Sequence, residues 1–345
     1  MEDVMKRGLF LGTGFAILAF LACLLPWPAG AAEEKTVTLR YSTMFPAPHR
    51  QSQVANEWAK EIERRTNGRV KMTIFPANTL TPPVQTYDSV VKGIADIGLA
   101  DAAYTRGKFP LTEVVGLPLG YKSATQATKM SNAFFNTFKP KEWDETKVMY
   151  FYSHGPGILH SKKAVNKLED VKGLKIRSQG VAAKIAQALG GAPVGMPMPE
   201  SYDSLSRGVV DSILCPMEAM KGWKLGEVVG FHTLSYSTAY TSAHFVVMNK
   251  SKWNAISPAD QKVIEKINEE FIEKEGKAWD EIDKEAIEVI QARGNKIISL
   301  SNEESARWAN AVKPLLDEFV KEMQGKGLAG DQVLKFCVDY LKANQ

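Results

Sequence analysis

The chain has 345 residues, too long for one small domain and sufficient for two lobes. With 44% hydrophobic, 24% charged and 9% aromatic residues, its composition excludes collagen, a disordered tail and a polytopic membrane protein. A net charge of +4, with no Lys/Arg cluster longer than a pair, excludes a dedicated nucleic-acid binder, and three cysteines without a CxxC form neither a disulfide scaffold nor a zinc site.

The N-terminus reads as an export leader. Lys6-Arg7 form a basic start, Gly8 to Leu25 carry no charge, and Pro26-Trp27-Pro28 precede the A-x-A site Ala29-Gly30-Ala31. Cleavage is expected after Ala31 or Ala32. It removes Cys23 and leaves the charge balance unchanged. The processed chain is expected in the periplasm of a bacterium, since no later segment approaches eighteen apolar residues.

Strands and helices then alternate. Thr36 to Thr43 alternates as a strand, and Gln53 to Thr66 carries Val54, Trp58 and Ile62 on one helical face. Val70 to Phe75 is a strand, Val84 to Lys92 a short helix, Ile97 to Ala100 a strand and Ser123 to Phe138 a helix. Val148 to Tyr152 is a strand ended by His154-Gly155-Pro156-Gly157. Leu174 to Arg177 is a strand and Val181 to Leu189 a helix. This order implies an α/β fold with mostly parallel sheets.

One internal repeat stands out. Tyr87-Asp88-Ser89-Val90-Val91-Lys92-Gly93-Ile94-Ala95-Asp96 returns as Tyr202-Asp203-Ser204-Leu205-Ser206-Arg207-Gly208-Val209-Val210-Asp211, 115 residues later. Each copy reads as a helix, a Gly cap and a strand. The offset is about one lobe, which predicts two similar lobes. Each presents a loop beyond its strand: Asp101 to Tyr104 in the first, Cys215 to Glu218 in the second. Ligands of open α/β sheets bind beyond the carboxyl ends of the strands, so the two loops predict a cleft.

The C-terminal third reads as helical. Ser257 can N-cap a helix with Pro258 at its first position, and apolar spacing continues to Gly294, roughly 36 residues or about 54 Å. Gly276 is expected to mark a bend. Ser301-Asn302-Glu303-Glu304 opens another helix, which Pro314 should kink, and Asp331 is expected to N-cap the last. Glu269, Glu270, Glu273, Glu275, Asp280, Glu281 and Asp283 read as a solvated face balanced by lysines.

Catalytic patterns are scarce. There is no GxSxG, HExxH, Walker lysine loop or Rossmann glycine triplet. The five histidines share no ligand spacing, and His154 and His160 read as loop residues. Arg177 ends a strand beside a helix start, where a planar fork and helix N–H groups suit an anion.

The stretch Leu168-Glu169-Asp170-Val171-Lys172-Gly173-Leu174-Lys175-Ile176-Arg177 resembles a segment of the solute-binding proteins of tripartite ATP-independent periplasmic (TRAP) transporters, the DctP family. Gly68-Arg69-Val70, Phe75-Pro76, Phe109-Pro110, Leu117-Pro118, Pro199 through Asp211, Val247 to Trp253 and Ser257-Pro258 are similar as well, in order. The resemblance implies a two-lobed periplasmic solute-binding fold of type II-like form, with a long helix spanning both lobes. It implies capture of a small organic anion, a carboxylate or a sulfonate, and delivery to small and large membrane permease subunits. The family's fixed arginine matches Arg177. A second arginine of sialic-acid-type members is matched by Gly157, their asparagine by Cys215, and the Glu-Trp pair of metal-bridged 2-oxoacid members by Leu214-Cys215. A small monoacid without a metal is therefore expected.

The domain reading is a leader at 1–31, a first lobe at 32–153 to which C-terminal helices return, a second lobe at 154–248, and a helical region at 249–345. The expected ligand-binding residues are Arg177, Cys215, Tyr104, Asp101, Phe45, Met198, Tyr236 and Gly157. No catalytic residue, metal, cofactor or nucleic-acid partner is expected, and the protein should be a monomer. Cys215 should be a reduced thiol in the pocket, with Cys337 packed in the last helix. The rival is a secreted α/β enzyme using His154 or Cys215, for which no motif supplies an activating partner.

Overall fold

In the computed structural model, the structure describes residues 36–344. The leader read at 1–31, its cleavage point and Cys23 lie outside the described residues. Among those described, no helix is long and apolar enough to cross a membrane.

Two twisted sheets form the centres of two lobes. The chain runs through β1 (Val37–Thr43), α1 (Arg50–Arg65), β2 (Val70–Phe75), α2 (Thr86–Val91), β3 (Ile97–Asp101), α3 (Ala124–Phe138) and β4 (Thr146–Ser153). It crosses to β5 (Ile158–Ser161), β6 (Lys175–Arg177), α4 (Gly180–Ala188), β7 (Ala192–Val194), α5 (Ser201–Ser206), β8 (Ser212–Cys215), α6 (Ala219–Gly222) and β9 (Phe231–Leu234). It returns through β10 (Ala243–Asn249), α7 (Lys250–Asn254) and α8 (Pro258–Ala292), then adds β11 (Lys296–Ser299), α9 (Asn302–Val312), α10 (Pro314–Gly325) and α11 (Gly330–Ala343).

The first sheet has the order β2-β1-β3-β10-β4, with β10 antiparallel to both neighbours. The second has the order β11-β9-β5-β8-β6-β7. Residues 243–248, read from sequence as the end of the second lobe, hydrogen-bond in the first sheet. The run Ala243-His244-Phe245-Val246-Val247-Met248 is buried throughout, as a strand between two others and covered on both faces must be. β5, β7, β9 and β11 are three or four residues long, too short for alternation to reveal them.

The repeated cassette is one capping motif used twice. Gly93 and Gly208 adopt φ of 73° and 75°. Gly93 N–H donates to Val90 and Ile94 N–H to Ser89; Gly208 N–H donates to Leu205 and Val209 N–H to Ser204. This is the Schellman arrangement, which requires a left-handed residue after the helix. The closing aspartates also correspond. Asp96 Oδ2 accepts from Arg40 N–H at 2.8 Å in the middle of β1, and Asp211 Oδ2 from Lys175 N–H at 3.1 Å at the start of β6, each pinning the neighbouring parallel strand.

Helix α8 spans both lobes. Ser257 Oγ accepts from Asp260 N–H at its start, as expected from sequence. Trp58 Nε1 donates to Asn268 Oδ1 at 2.9 Å, tying α1 to its first half, while Ala286 and Ile290 enter the second lobe's core beside Leu225 and Met220. Gly276 does not break the helix; a Cβ there would lie 2.6 Å from Thr125 Cα, so the glycine permits close approach of α3. Asp280 faces inward, its carboxylate accepting from Ala124 and Thr125 N–H at the start of α3. Glu275 is 1% exposed. The expected solvated acidic face holds for Glu269, Glu270, Glu273 and Glu281, which are exposed, and is corrected for Glu275, Asp280 and Asp283, which turn toward the lobes that pack on two sides of the helix. Pro314 starts a separate helix rather than kinking one, its missing N–H falling where no helix partner exists. The last helix begins at Gly330 with Ala329 as its cap, not at Asp331.

Gly276→Ala would gain about 1 kcal/mol of helix propensity and lose about 1–3 kcal/mol to overpacking against backbone. We expect a net fall in melting temperature; a rise would contradict the close approach.

Candidate functional site

Strand ends from both sheets converge on one cavity of about 510 Å³. From the first lobe, β3 ends at Asp101, whose carboxylate accepts from Ala103 N–H at 2.9 Å and tightens the turn at 102–104. That turn carries Tyr104 across the cleft, where its hydroxyl accepts from Met198 N–H at 3.1 Å. From the second lobe, β6 delivers Arg177 and β8 delivers Cys215. The lobes touch closely here: Gly180, at φ 52°, has room for no Cβ, which would lie 2.8 Å from Ala103 Cβ.

Arg177 is 5% exposed. Its Nε donates to Met196 O at 3.0 Å, while its Nη2 is buried without a hydrogen-bond partner among the described residues. A buried guanidinium nitrogen with no acceptor is costly unless an anion completes it. Burial raises the pKa values of Asp101 and Tyr104, and Arg177 opposes both shifts.

The opposite wall is aromatic. Phe45 lies 4.5 Å from His49, 5.7 Å from Trp223 and 6.2 Å from Trp279 between ring centroids. Tyr240, His154 and His244 continue it, and burial holds the His154 imidazole at about 4 and that of His244 at about 3. Both rings are neutral at ordinary pH. Beside these rings, His49 Nε2 of the first lobe lies 2.7 Å from Oε1 of Glu218, a cavity-lining residue of the second, in a buried cross-lobe contact. Glu218 N–H donates to Asp283 Oδ1 at 2.7 Å. Gly222 and Gly155 make room for these acids: a Cβ on either would meet a carboxylate oxygen at 1.8 Å.

The expected residues distribute unevenly. Phe45, Asp101, Tyr104, Arg177, Met198 and Cys215 line the cavity together. Gly157 stands behind the wall: its N–H donates to Tyr240 O at 2.7 Å, and a Cβ there would lie 2.3 Å from the Tyr240 ring. The tyrosine thus fills the space an arginine at 157 would need. Tyr236 is half-exposed in the turn at 236–238 and is not part of the wall; Tyr240, four residues on, takes that place because the chain crosses between lobes there. His154, reading as an ordinary loop histidine, lines the cavity, as do His244, Trp223 and Trp279, for which spacing carried no signal. Cys215 and Cys337 are free and buried. Burial pushes the Cys215 thiol well above its ordinary value, with Arg177 opposing, so it is a thiol and not a thiolate nucleophile. Among the described residues no cluster of His, Cys, Asp or Glu could hold a metal ion.

Comparison with known proteins places this geometry. Residues 41–323 match the DctP family profile, described as bacterial extracellular solute-binding protein, family 7. A TRAP solute-binding protein from a marine metagenome, specific for aromatic acid ligands and in complex with metahydroxyphenylacetate, is 30% identical with a TM-score of 0.85; 89% of this chain and 99% of that one are covered. One from Rhodoferax ferrireducens T118, with copurified benzoate, is 27% identical with a TM-score of 0.85 over 89% of this chain and 98% of that one. One from Bordetella bronchiseptica, with bound (R)- and (S)-mandelate, is 28% identical with a TM-score of 0.84 over 90% and 100%.

The buried titratable groups set a pH profile. Burial raises Glu275 and Asp283 to about 8 from 4.5 and 3.8, so the folded chain keeps protons that the unfolded chain releases. His154, His232 and His244 do the reverse, at about 4, about 4 and about 3 against 6.5. As pH rises to 6.5 the histidines add stability; above it only the acids act, and stability falls until their folded values are passed. We expect the melting temperature to peak near pH 6.5, the ordinary imidazole value. Glu275→Gln should weaken the decline on the alkaline side. A melting temperature still rising at pH 8, the value of the two acids, would contradict this assignment.

Proposed function

The chain belongs to the DctP family of bacterial extracellular solute-binding proteins, and on that premise we propose that it captures a small aromatic monocarboxylate between its lobes and passes it to the permease subunits of a TRAP transporter. The family binds solutes and is not enzymatic. The secreted enzyme using His154 or Cys215 is thereby set aside.

The observation that carries the reading is the buried Nη2 of Arg177, lacking a protein acceptor at the edge of an aromatic-walled cavity. A carboxylate supplies the missing acceptor in a bidentate geometry that suits a planar fork. Phe45, Trp223 and Trp279 offer ring faces and edges to an aromatic body. A cavity of this size is ordinary for a small-molecule site. Relatives with bound benzoate, mandelate and metahydroxyphenylacetate support the same class. Tyr240 packed against Gly157 argues against a second clamp for a diacid. Export by the leader to the periplasm, action as a monomer and delivery to small and large permease subunits complete the proposal.

Calorimetry with benzoate tests it. Removing one partner of a buried charge pair costs about 3–5 kcal/mol, so Arg177→Ala should lose roughly 10²- to 10³-fold in affinity. Arg177→Lys should also bind poorly, since an ammonium is a point charge. Near-native affinity in Arg177→Ala would overturn the clamp.

Closure has its own test. Tyr104 and Arg177 come from different lobes, so Tyr104→Ala should weaken binding while leaving the ligand-free fold intact. Wild-type protein should show a smaller radius of gyration with saturating benzoate. Scattering curves that coincide, with binding independently verified, would rule out a two-lobe clamp.

A further inference from the structure

We propose that His154 is a specificity-determining residue whose Nε2 accepts a hydrogen bond from a hydroxyl group of the ligand, so that the cavity selects hydroxylated aromatic acids over their unsubstituted counterparts. The inference rests on the aromatic-acid reading above and deepens it.

The tautomer follows from one contact. His154 Nδ1 lies 2.6 Å from the carbonyl oxygen of Gly155. A carbonyl oxygen only accepts, so Nδ1 carries a hydrogen and donates it. Burial, together with the neighbouring His244, holds the ring at about 4, so it carries no second proton at neutral pH. Nε2 is therefore a lone pair. No donor among the described residues takes it up, although the ring is 5% exposed and lines the cavity. Unlike Nη2 of Arg177, Nε2 is not sealed by protein; it opens into the cavity, where a donor on a bound ligand can reach it.

The ring is also held firmly. Thr241 Oγ1 donates to His154 O at 2.6 Å, joining the two segments that cross between the lobes. The imidazole meets Tyr240 edge-on at 5.4 Å between centroids and lies 6.1 Å from Trp279. It is close enough to Arg177 to feel its charge. A ligand whose carboxylate completes Arg177 and whose ring lies against the aromatic wall thus presents its substituents near a fixed, neutral acceptor. A hydroxyl is the donor that fits: it satisfies Nε2 without bringing a second charge into a cavity built for one anion.

The hydroxyl can sit beside the carboxylate or on the ring, and two matched pairs of probes separate these positions. Affinities are measured by calorimetry for mandelate against phenylacetate and for 3-hydroxybenzoate against benzoate. Wild-type protein should prefer the hydroxylated member of at least one pair by about tenfold, the scale of one well-formed hydrogen bond. His154→Asn should remove that preference, since its amide can still donate to Gly155 O but offers nothing at Nε2; because the imidazole is also part of the cavity wall, the readout is the affinity ratio within each pair, which a loss of wall contact shared by both members does not move. His154→Phe is the second variant, should His154→Asn fold poorly. A preference of this size lost in either variant supports the inference. Equal affinity within both pairs in wild type, or a preference that persists without the imidazole, overturns it and leaves the aromatic-acid reading standing. Binding of none of the four acids to wild type overturns that reading and this inference with it.

Discussion

A guanidinium enclosed in protein must find acceptors for its N–H groups, and Arg177 finds only part of its complement in the chain itself. Nε is satisfied by Met196 O, while Nη2 is not satisfied at all. Much of the cleft follows from that unmet requirement. Tyr104 reaches the same corner from the other lobe, while burial keeps the neighbouring histidines neutral and holds Cys215 as a thiol against the pull of the guanidinium. In a wall of low polarity such a charge acts at short range with little screening, which makes an anion the natural completion of the fold.

That enclosure depends on how the two lobes are joined. Among the described residues four connections join them: the crossing into β5, the crossing into β10, α8, and the return from β11 through α9 and α10 to α11, which packs on α3. The first two are laced by Gly157 N–H to Tyr240 O and Thr241 Oγ1 to His154 O. The third lies across both cores, with Asp280 capping α3 on one side and Asp283 accepting from Glu218 on the other. His49 and Glu218 meet across the lobes beside the aromatic residues of the wall, so a buried polar contact and ring contacts join the lobes at the same place.

What the sequence by itself determined is what short-range chemistry controls. The repeated cassette is legible because a Schellman cap needs glycine at one position and the aspartate three residues later needs a backbone partner on the neighbouring strand. The start of α8 is legible because Ser257 and Pro258 act within one turn. Arg177 is legible as a candidate for binding an anion from its place between a strand end and a helix start. Only the tertiary structure decided which elements share a sheet and which side chains share a wall. β10 enters the first sheet because hydrogen-bonding edges there are free, a fact no local pattern encodes. Trp223, Trp279, His244 and His154 come from four separate segments, and their meeting depends on how α8 and the two crossings bring the lobes together. Gly157 and Gly276 likewise read as turn or bend signals in the chain, yet their meaning is the ring of Tyr240 and the backbone of Thr125 pressed against them. Propensity acts over a few residues; packing acts over the whole molecule, and the site belongs to the second.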